Sequence, residues 1–176
     1  MCIRDSGYSA QALTKSLIPS GWWVKGTTRS KEILKNLEKR GGQYRIWPDT
    51  CLLTDLSWAT HLLISIAPEK CGDLVIKEFK QEIVSKLNNF KWIGYLSTTG
   101  IYGDHKGGWV DEGTKVNPTT VRGHYRAKAE KEWLSLFDEY NLPIHIFRLA
   151  GIYGPGRGPF TKVKSGKAKR IIKKNQ

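Results

Sequence analysis

"RDSGYSAQALTKSL", residues 4–17, is the stretch on which the reading of the fold turns. Gly7, Tyr8, Ser9 and Ala10 have the form of the second half of a glycine-rich phosphate loop that runs into an amphipathic helix over Ala10–Ile18. A GxGxxG/A loop needs glycine where the backbone approaches a pyrophosphate, and a small residue where helix meets strand. Gly7 and Ala10 suit those two positions. The first glycine position, however, falls on Asp5, whose carboxylate repels phosphate. The residues before Gly7, Met-Cys-Ile-Arg-Asp-Ser, are too few and too polar for the buried strand that leads into such a loop. A lone Gly-x-x-Ala serves equally well as an ordinary helix start, so the decision passes to the rest of the chain.

Downstream, apolar runs alternate with helical patterns. Trp22–Thr28 reads as a strand. Lys31–Arg40 reads as a helix with Ile33, Leu34 and Leu37 on one face and Gly41-Gly42 as its stop. Tyr44–Trp47 is a short strand candidate. "HLLISIAP", residues 61–68, has the unbroken apolar character of a strand covered on both faces, and Pro68 ends it. Leu74–Leu87 is helical, and residues 91–99, "KWIGYLSTT", form another buried strand. Arg122–Tyr140 is a long helix with Trp133, Leu134 and Phe137 on its apolar side. Residues 142–154 begin as a strand and end in a Gly/Pro-rich loop. Strict alternation predicts an α/β fold: a Rossmann-type, doubly wound parallel sheet with helices on both faces and its first strand largely missing or replaced.

Composition sets the outer bounds. With 176 residues, 39% hydrophobic and 11% aromatic, the chain has material for a real core and is not of the disordered class. The longest apolar run, Leu62–Ala67, is far too short to span a bilayer, and no secretory signal is visible. Cys2, Cys51 and Cys71 are odd in number and form no CxxC pair. They indicate neither a disulfide framework nor zinc, and a reducing cytoplasm is the expected compartment. A net charge of +13, partly gathered in residues 162–174, raises the question of nucleic acid. No stacking motif or zinc site accompanies that charge, so a solvated basic helix is the simpler reading. His61, His105, His124 and His145 lack metal-ligand spacing, and no metal is expected.

In such sheets ligands bind beyond the C-terminal strand ends. Those ends are Thr27–Ser30, Ala67–Pro68, Ser97–Thr99 and Ala150–Ile152. After the second strand the sequence offers Thr28, Arg29 and Ser30, with no acid before Glu32 to accept the ribose hydroxyls of NAD. A guanidinium there suits a 2′-phosphate through charge-assisted hydrogen bonds, which favours NADP(H) over NAD(H).

"YLSTTGIYGD" (95–104) and "FRLAGIYGPG" (147–156) resemble the NAD(P)-dependent epimerase/dehydratase branch of the short-chain dehydrogenase/reductase superfamily. The resemblance runs from Gly7 to the C-terminus. It implies that Thr98, five residues before Gly103, hydrogen-bonds the reacting substrate oxygen. It also implies that Ala150, Gly151 and Ile152 lie beside the nicotinamide, with Gly7, Tyr8, Ser9, Ala10, Ala67 and Pro68 elsewhere around the coenzyme. The family's acid/base pair is Tyr-x-x-x-Lys. Counting from Pro118 and from Glu130 places Arg122 and Arg126 at those positions, so the usual tyrosine is replaced. Arginine stays protonated and cannot shuttle a proton as a phenol does. Arg126 retains the capacity to bind a ribose or phosphate, and Tyr125 is the alternative acid.

The resemblance implies a chain that lacks both ends of the family pattern. Residues 1–6 read as a non-native leader, 7–154 as an incomplete dinucleotide-binding domain, and 155–176 as the start of a substrate-binding region. Met1–Arg4 is expected to imitate the first strand only poorly. The favoured function is an NADP(H)-using oxidoreductase or nucleotide-sugar epimerase-like enzyme with an atypical site. The alternative is a non-catalytic dinucleotide sensor, and nucleic-acid binding comes third. A small-molecule substrate, in one form a nucleotide sugar, is the implied partner, with no membrane and a homodimer as the family habit.

Overall fold

Cys2–Arg4, the residues expected to make a poor first strand, form a three-residue strand (β1) at the centre of the sheet. β1 lies between β2 (Lys25–Thr28) and β4 (His61–Ile64), parallel to both. Ile3 stands opposite Gly26 on one side and Leu63 on the other. Pairing on two sides satisfies the backbone of even a short segment, and Cys2 and Ile3 are fully buried, one in each core. The first strand is therefore short but in place.

The computed structural model describes residues 1–39, 42–48 and 52–169. Beyond β1, β2 and β4, the remaining strands are β3 (Gln43–Ile46), β5 (Trp92–Thr98) and β6 (Ile144–Leu149). The helices are α1 (Tyr8–Leu17), α2 (Lys31–Glu38), α3 (Leu52–Trp58), α4 (Leu74–Ser85), α5 (Val121–Tyr140) and α6 (Pro159–Lys164). All pairings are parallel, in the order β3-β2-β1-β4-β5-β6. The order reverses at β1/β4, and in doubly wound sheets that switch point opens a crevice at the strand tips.

Two apolar layers follow from strand alternation. One holds Leu62, Ile64, Ile93 and Tyr95 against Leu56 of α3, Phe79 and Ile83 of α4, and Trp133 and Leu136 of α5. The other holds Ile3 and Leu63 against Ala10, Leu13 and Leu17 of α1. The fold class is thus as expected, with helices on both faces.

Several boundaries shift. Trp22 and Trp23 precede β2, and Trp23 is exposed. In α2 only Leu37 is buried and Ile33 is exposed; Gly41 of the expected Gly41-Gly42 stop lies outside the described residues, as do Cys51 and residues 170–174 of the expected basic helix. On α5 the buried stripe is Ala129, Trp133 and Leu136, while Leu134 and Phe137 are exposed. Residues 129, 133 and 136 fall at i, i+4 and i+7 on one helix face, and 134 and 137 stand roughly 100° round from 133 and 136. Helix α3 was not anticipated, being too short to declare a period. It buries Leu56 and Asp55, and Asp55 is held by Lys25 at 2.9 Å and Arg45 at 3.7 Å.

Candidate functional site

The first step of the site is the turn between β1 and α1. Asp5 adopts φ +69°, a conformation that favours glycine, at the position where a phosphate loop carries its first glycine. Its N–H donates to Thr27 Oγ1 at 3.1 Å, and the Ser65 hydroxyl donates to the Asp5 carbonyl. Ser6 N–H donates to Thr27 O at 2.6 Å. The chain then enters α1 through Gly7, an extended residue without a side-chain cap bond, and no acidic residue occupies the first turn. The first amides of a helix point outward unbonded, and with the helix dipole they favour an anion.

These amides open into a crevice of about 170 Å³ lined by Gly7, Tyr8, Ser9, Ala10, Ser65, Leu96, Ser97, Arg126, Leu149, Ile152 and Arg157. The tips of β4, β5 and β6 meet the N-terminus of α1 there. Four of the lining residues come from the phosphate-loop reading, and Arg126 and Ile152 come from the resemblance. Ser97 is only 5% exposed and its hydroxyl has no hydrogen-bond partner among the described residues. Gly7 has ordinary φ and ψ, and a Cβ placed on it meets no protein atom within 4 Å. Neither backbone conformation nor packing within the protein demands glycine there, and the space beside its Cα is open.

Arg126 is engaged from below. Its Nη1 donates to Leu96 O at 2.5 Å and to the Tyr95 hydroxyl at 3.3 Å, with the guanidinium 5.7 Å from the Tyr95 ring centre. Burial drives the Tyr95 phenol far above its ordinary range, against the pull of Arg126, so this phenol holds its proton. Thr98 stands at the end of β5 beside Ser97, where its Oγ1 accepts from Gly100 N–H at 3.1 Å. The hydroxyl proton is left to donate elsewhere.

The other expected residues do not line this crevice. Arg122 is exposed at the start of α5, and Tyr125 is half-buried. Ala67 and Pro68 lie past the β4 tip, whose crevice position belongs to Ser65. Gly151 lines an adjoining hollow of about 370 Å³ together with Ile152, Tyr153, Arg157 and Lys162, and Ala150 is exposed before it. Thr28 Oγ1 accepts from Ser30 N–H at 3.3 Å, and Ser30 caps α2 by accepting from Ile33 N–H at 3.2 Å. Arg29 pairs with Asp5 at 3.7 Å. Burial raises the Asp5 carboxyl above its ordinary value, and Arg29 draws it back down in part.

One network was not legible beforehand. Arg148 of β6 donates from Nε at 3.1 Å and from Nη2 at 2.9 Å to Glu130 Oε2 on α5, and from Nη1 to the Tyr102 hydroxyl at 2.9 Å. Burial works against the Arg148 charge, but hydrogen bonds to Glu130 and Tyr102 raise its hold on the proton overall. This brace ties the segment after Thr98 to α5 and β6. In the sequence Glu130 served only as a spacing marker. Arg157 was likewise overlooked, although it sits three residues after the "IYG" motif. Among the described residues no cluster of His, Cys, Asp or Glu is arranged for a metal ion, and no helix is long and apolar enough to cross a membrane.

No protein-family model matches the chain. Protein YeeZ of Escherichia coli K12 is 30% identical over 173 residues, covering 90% of this chain and 61% of YeeZ. A conserved protein of Silicibacter pomeroyi, functionally unknown, superposes with a TM-score of 0.87 at 43% identity over 98% of this chain and 59% of its own. The Bacillus cereus UDP-glucuronic acid 4-epimerase, in complex with UDP-glucuronic acid and NAD, superposes with a TM-score of 0.68 at 19% identity over 95% of this chain and 64% of its own. The fold is that of the NAD-dependent epimerase/dehydratase proteins. The chain spans about three fifths of the length of YeeZ and of the Silicibacter protein.

Proposed function

We propose that this chain forms the coenzyme-binding part of an NADP(H)-dependent oxidoreductase or epimerase-like enzyme acting on a small hydroxyl or carbonyl compound such as a nucleotide sugar. The observation that carries this is the crevice at the strand tips, where the open cradle at Gly7, the unbonded amides of α1 and the orphan hydroxyl of Ser97 face one space. A buried hydroxyl without a partner costs about 1–3 kcal/mol, which a bound polar group recovers.

In this reading the first-turn amides of α1 hold the coenzyme pyrophosphate, and Ser97 donates to a ligand oxygen. Arg29 turns from Asp5 to the 2′-phosphate, a stronger partner by charge. When bound, the nicotinamide supplies hydride exchange with a substrate carbon. Thr98 donates its free hydroxyl proton to the substrate oxygen and holds it in line, while its own oxygen stays pinned by Gly100 N–H. Arg126 takes the place of the family lysine and presents a fixed positive charge, anchored to Leu96 O. Arg122 carries no removable proton, so Tyr125 is the phenol nearest in sequence for proton transfer. Free Cys2 and Cys71 accord with a reducing cytoplasm as the compartment.

Isothermal titration of the chain with NADPH and with NADH tests the reading, which expects NADPH to bind more tightly; no affinity for either removes it. The replacement of the family tyrosine by Arg122 favours a second reading, a dinucleotide sensor without turnover. Thr98→Ala separates the two. Loss of one transition-state donor lowers turnover by about 10²–10³ with little change in coenzyme affinity, whereas a sensor shows coenzyme binding, no turnover on a carbonyl panel, and no response to the substitution.

A further inference from the structure

The loop after β6 carries an arginine that neither the phosphate-loop pattern nor the resemblance singled out. Arg157 lines both the strand-tip crevice and the adjoining hollow. Its guanidinium lies 5.2 Å from the centre of the Tyr8 ring, and no carboxylate pairs with it among the described residues. The turn that presents it is closed on itself: Gly154 N–H donates to Arg157 O at 2.8 Å, and Arg157 N–H donates to Gly154 O at 2.9 Å. The Tyr8 hydroxyl then donates to Pro155 O at 3.1 Å, fastening this turn to the first residue of α1. Gly154 is required for that contact, because a Cβ there would collide with the Tyr8 hydroxyl.

A positive side chain is thereby held beside a helix N-terminus that lacks both a cap and an acid. A second guanidinium, Arg126, and the unpartnered, buried Ser97 hydroxyl line the same crevice. Concentrating two cations and a helix N-terminus, without a counter-charge from the protein on Arg157, is unfavourable unless an anion neutralises them.

We propose that Arg157 is a diphosphate clamp: it binds the two-phosphate group of a ligand lying across the N-terminus of α1, and Tyr8 is the positioning residue that sets its guanidinium over that group. The inference rests on the dinucleotide reading for its favoured ligand, but its chemistry is that of any nucleoside diphosphate group. The source is a dinucleotide coenzyme or a nucleoside-diphosphate sugar.

The test titrates the chain separately with NADP⁺, UDP-glucose, inorganic pyrophosphate and adenosine, comparing wild type, Arg157→Gln, Arg157→Lys and Tyr8→Phe. The clamp predicts that R157Q weakens each pyrophosphate-bearing ligand that wild type binds by at least tenfold. R157K recovers part of the loss, and Y8F weakens the same ligands about threefold. Any binding of adenosine, which carries no phosphate, is unchanged. Arg157 is exposed, so its substitution leaves the melting temperature near that of wild type. Binding of NADP⁺ by wild type and by R157Q with equal affinity overturns the clamp and leaves the dinucleotide reading standing. Binding of pyrophosphate or UDP-glucose, lost in R157Q, without any binding of NADP⁺ or NADPH leaves the clamp and removes that reading. Wild type binding none of the pyrophosphate-bearing probes overturns both.

Discussion

Replacing Arg4 by methionine should make this protein more stable. Arg4 ends the central strand at 1% exposure, and its Nε and Nη2 have no hydrogen-bond partner among the described residues. Its compensation is limited to a position 5.9 Å from the Phe79 ring centre and the field of Asp55, already engaged by Lys25 and Arg45. Burial lowers its proton affinity, with Cys2 and Asp55 opposing that effect. Two unmet buried donors are unfavourable by about 1–3 kcal/mol each, and the aromatic contact returns about 1–2 kcal/mol. The net, about 0–5 kcal/mol, is centred in the ~1–4 kcal/mol gained when buried charges give way to apolar residues of similar size. The strand itself does not depend on the side chain, because Ser65 N–H bonds the Arg4 carbonyl at 2.9 Å whatever residue carries it.

Equilibrium unfolding in urea reads the change. Arg4→Met should raise the midpoint at unchanged slope, and a gain of about 2 kcal/mol corresponds to a melting temperature higher by roughly 4–8 °C for a chain of this size. Arg4→Lys, which keeps a buried charge and loses the planar group, should not share the gain. A midpoint for Arg4→Met equal to or below that of wild type would refute the argument, because it would mean the guanidinium is satisfied in solution.

Asp5→Gly should remove a left-handed residue that favours glycine and free Arg29 from its carboxylate. Loss of one negative charge beside the phosphate cradle is worth about 1 kcal/mol, so NADPH affinity should rise about fivefold; weaker binding by calorimetry would contradict the alignment of Asp5 with a glycine position. Glu130→Gln should leave Arg148 without its counter-charge and destabilise the fold by about 3 kcal/mol. Chemical denaturation of the variant checks this, and a loss under 1 kcal/mol would mean the pair behaves as a surface bridge.

The sequence by itself determined the alternation of strands and helices, and with it a parallel sheet, because periodicity and strand apolarity are local properties. Gly7 and Ala10 were singled out by the spacing of a phosphate loop, Arg126 and Ile152 by the family resemblance, and the structure brings all four into one crevice. Tertiary structure decided what depends on distant partners. Met-Cys-Ile-Arg looked unfit for a strand because strand signals weigh length and polarity, whereas pairing on both sides satisfies the backbone of even three residues. Of the expected stripe of α5, Trp133 is buried, but Leu134 and Phe137 are exposed and Ala129 and Leu136 are buried instead, because the sheet, not the helix, chooses which face is covered. The pairing of Asp5 with Arg29, the orphan hydroxyl of Ser97 and the seat of Arg157 on Tyr8 join residues 24, 90 and 149 positions apart in some cases, and no local pattern encodes such meetings.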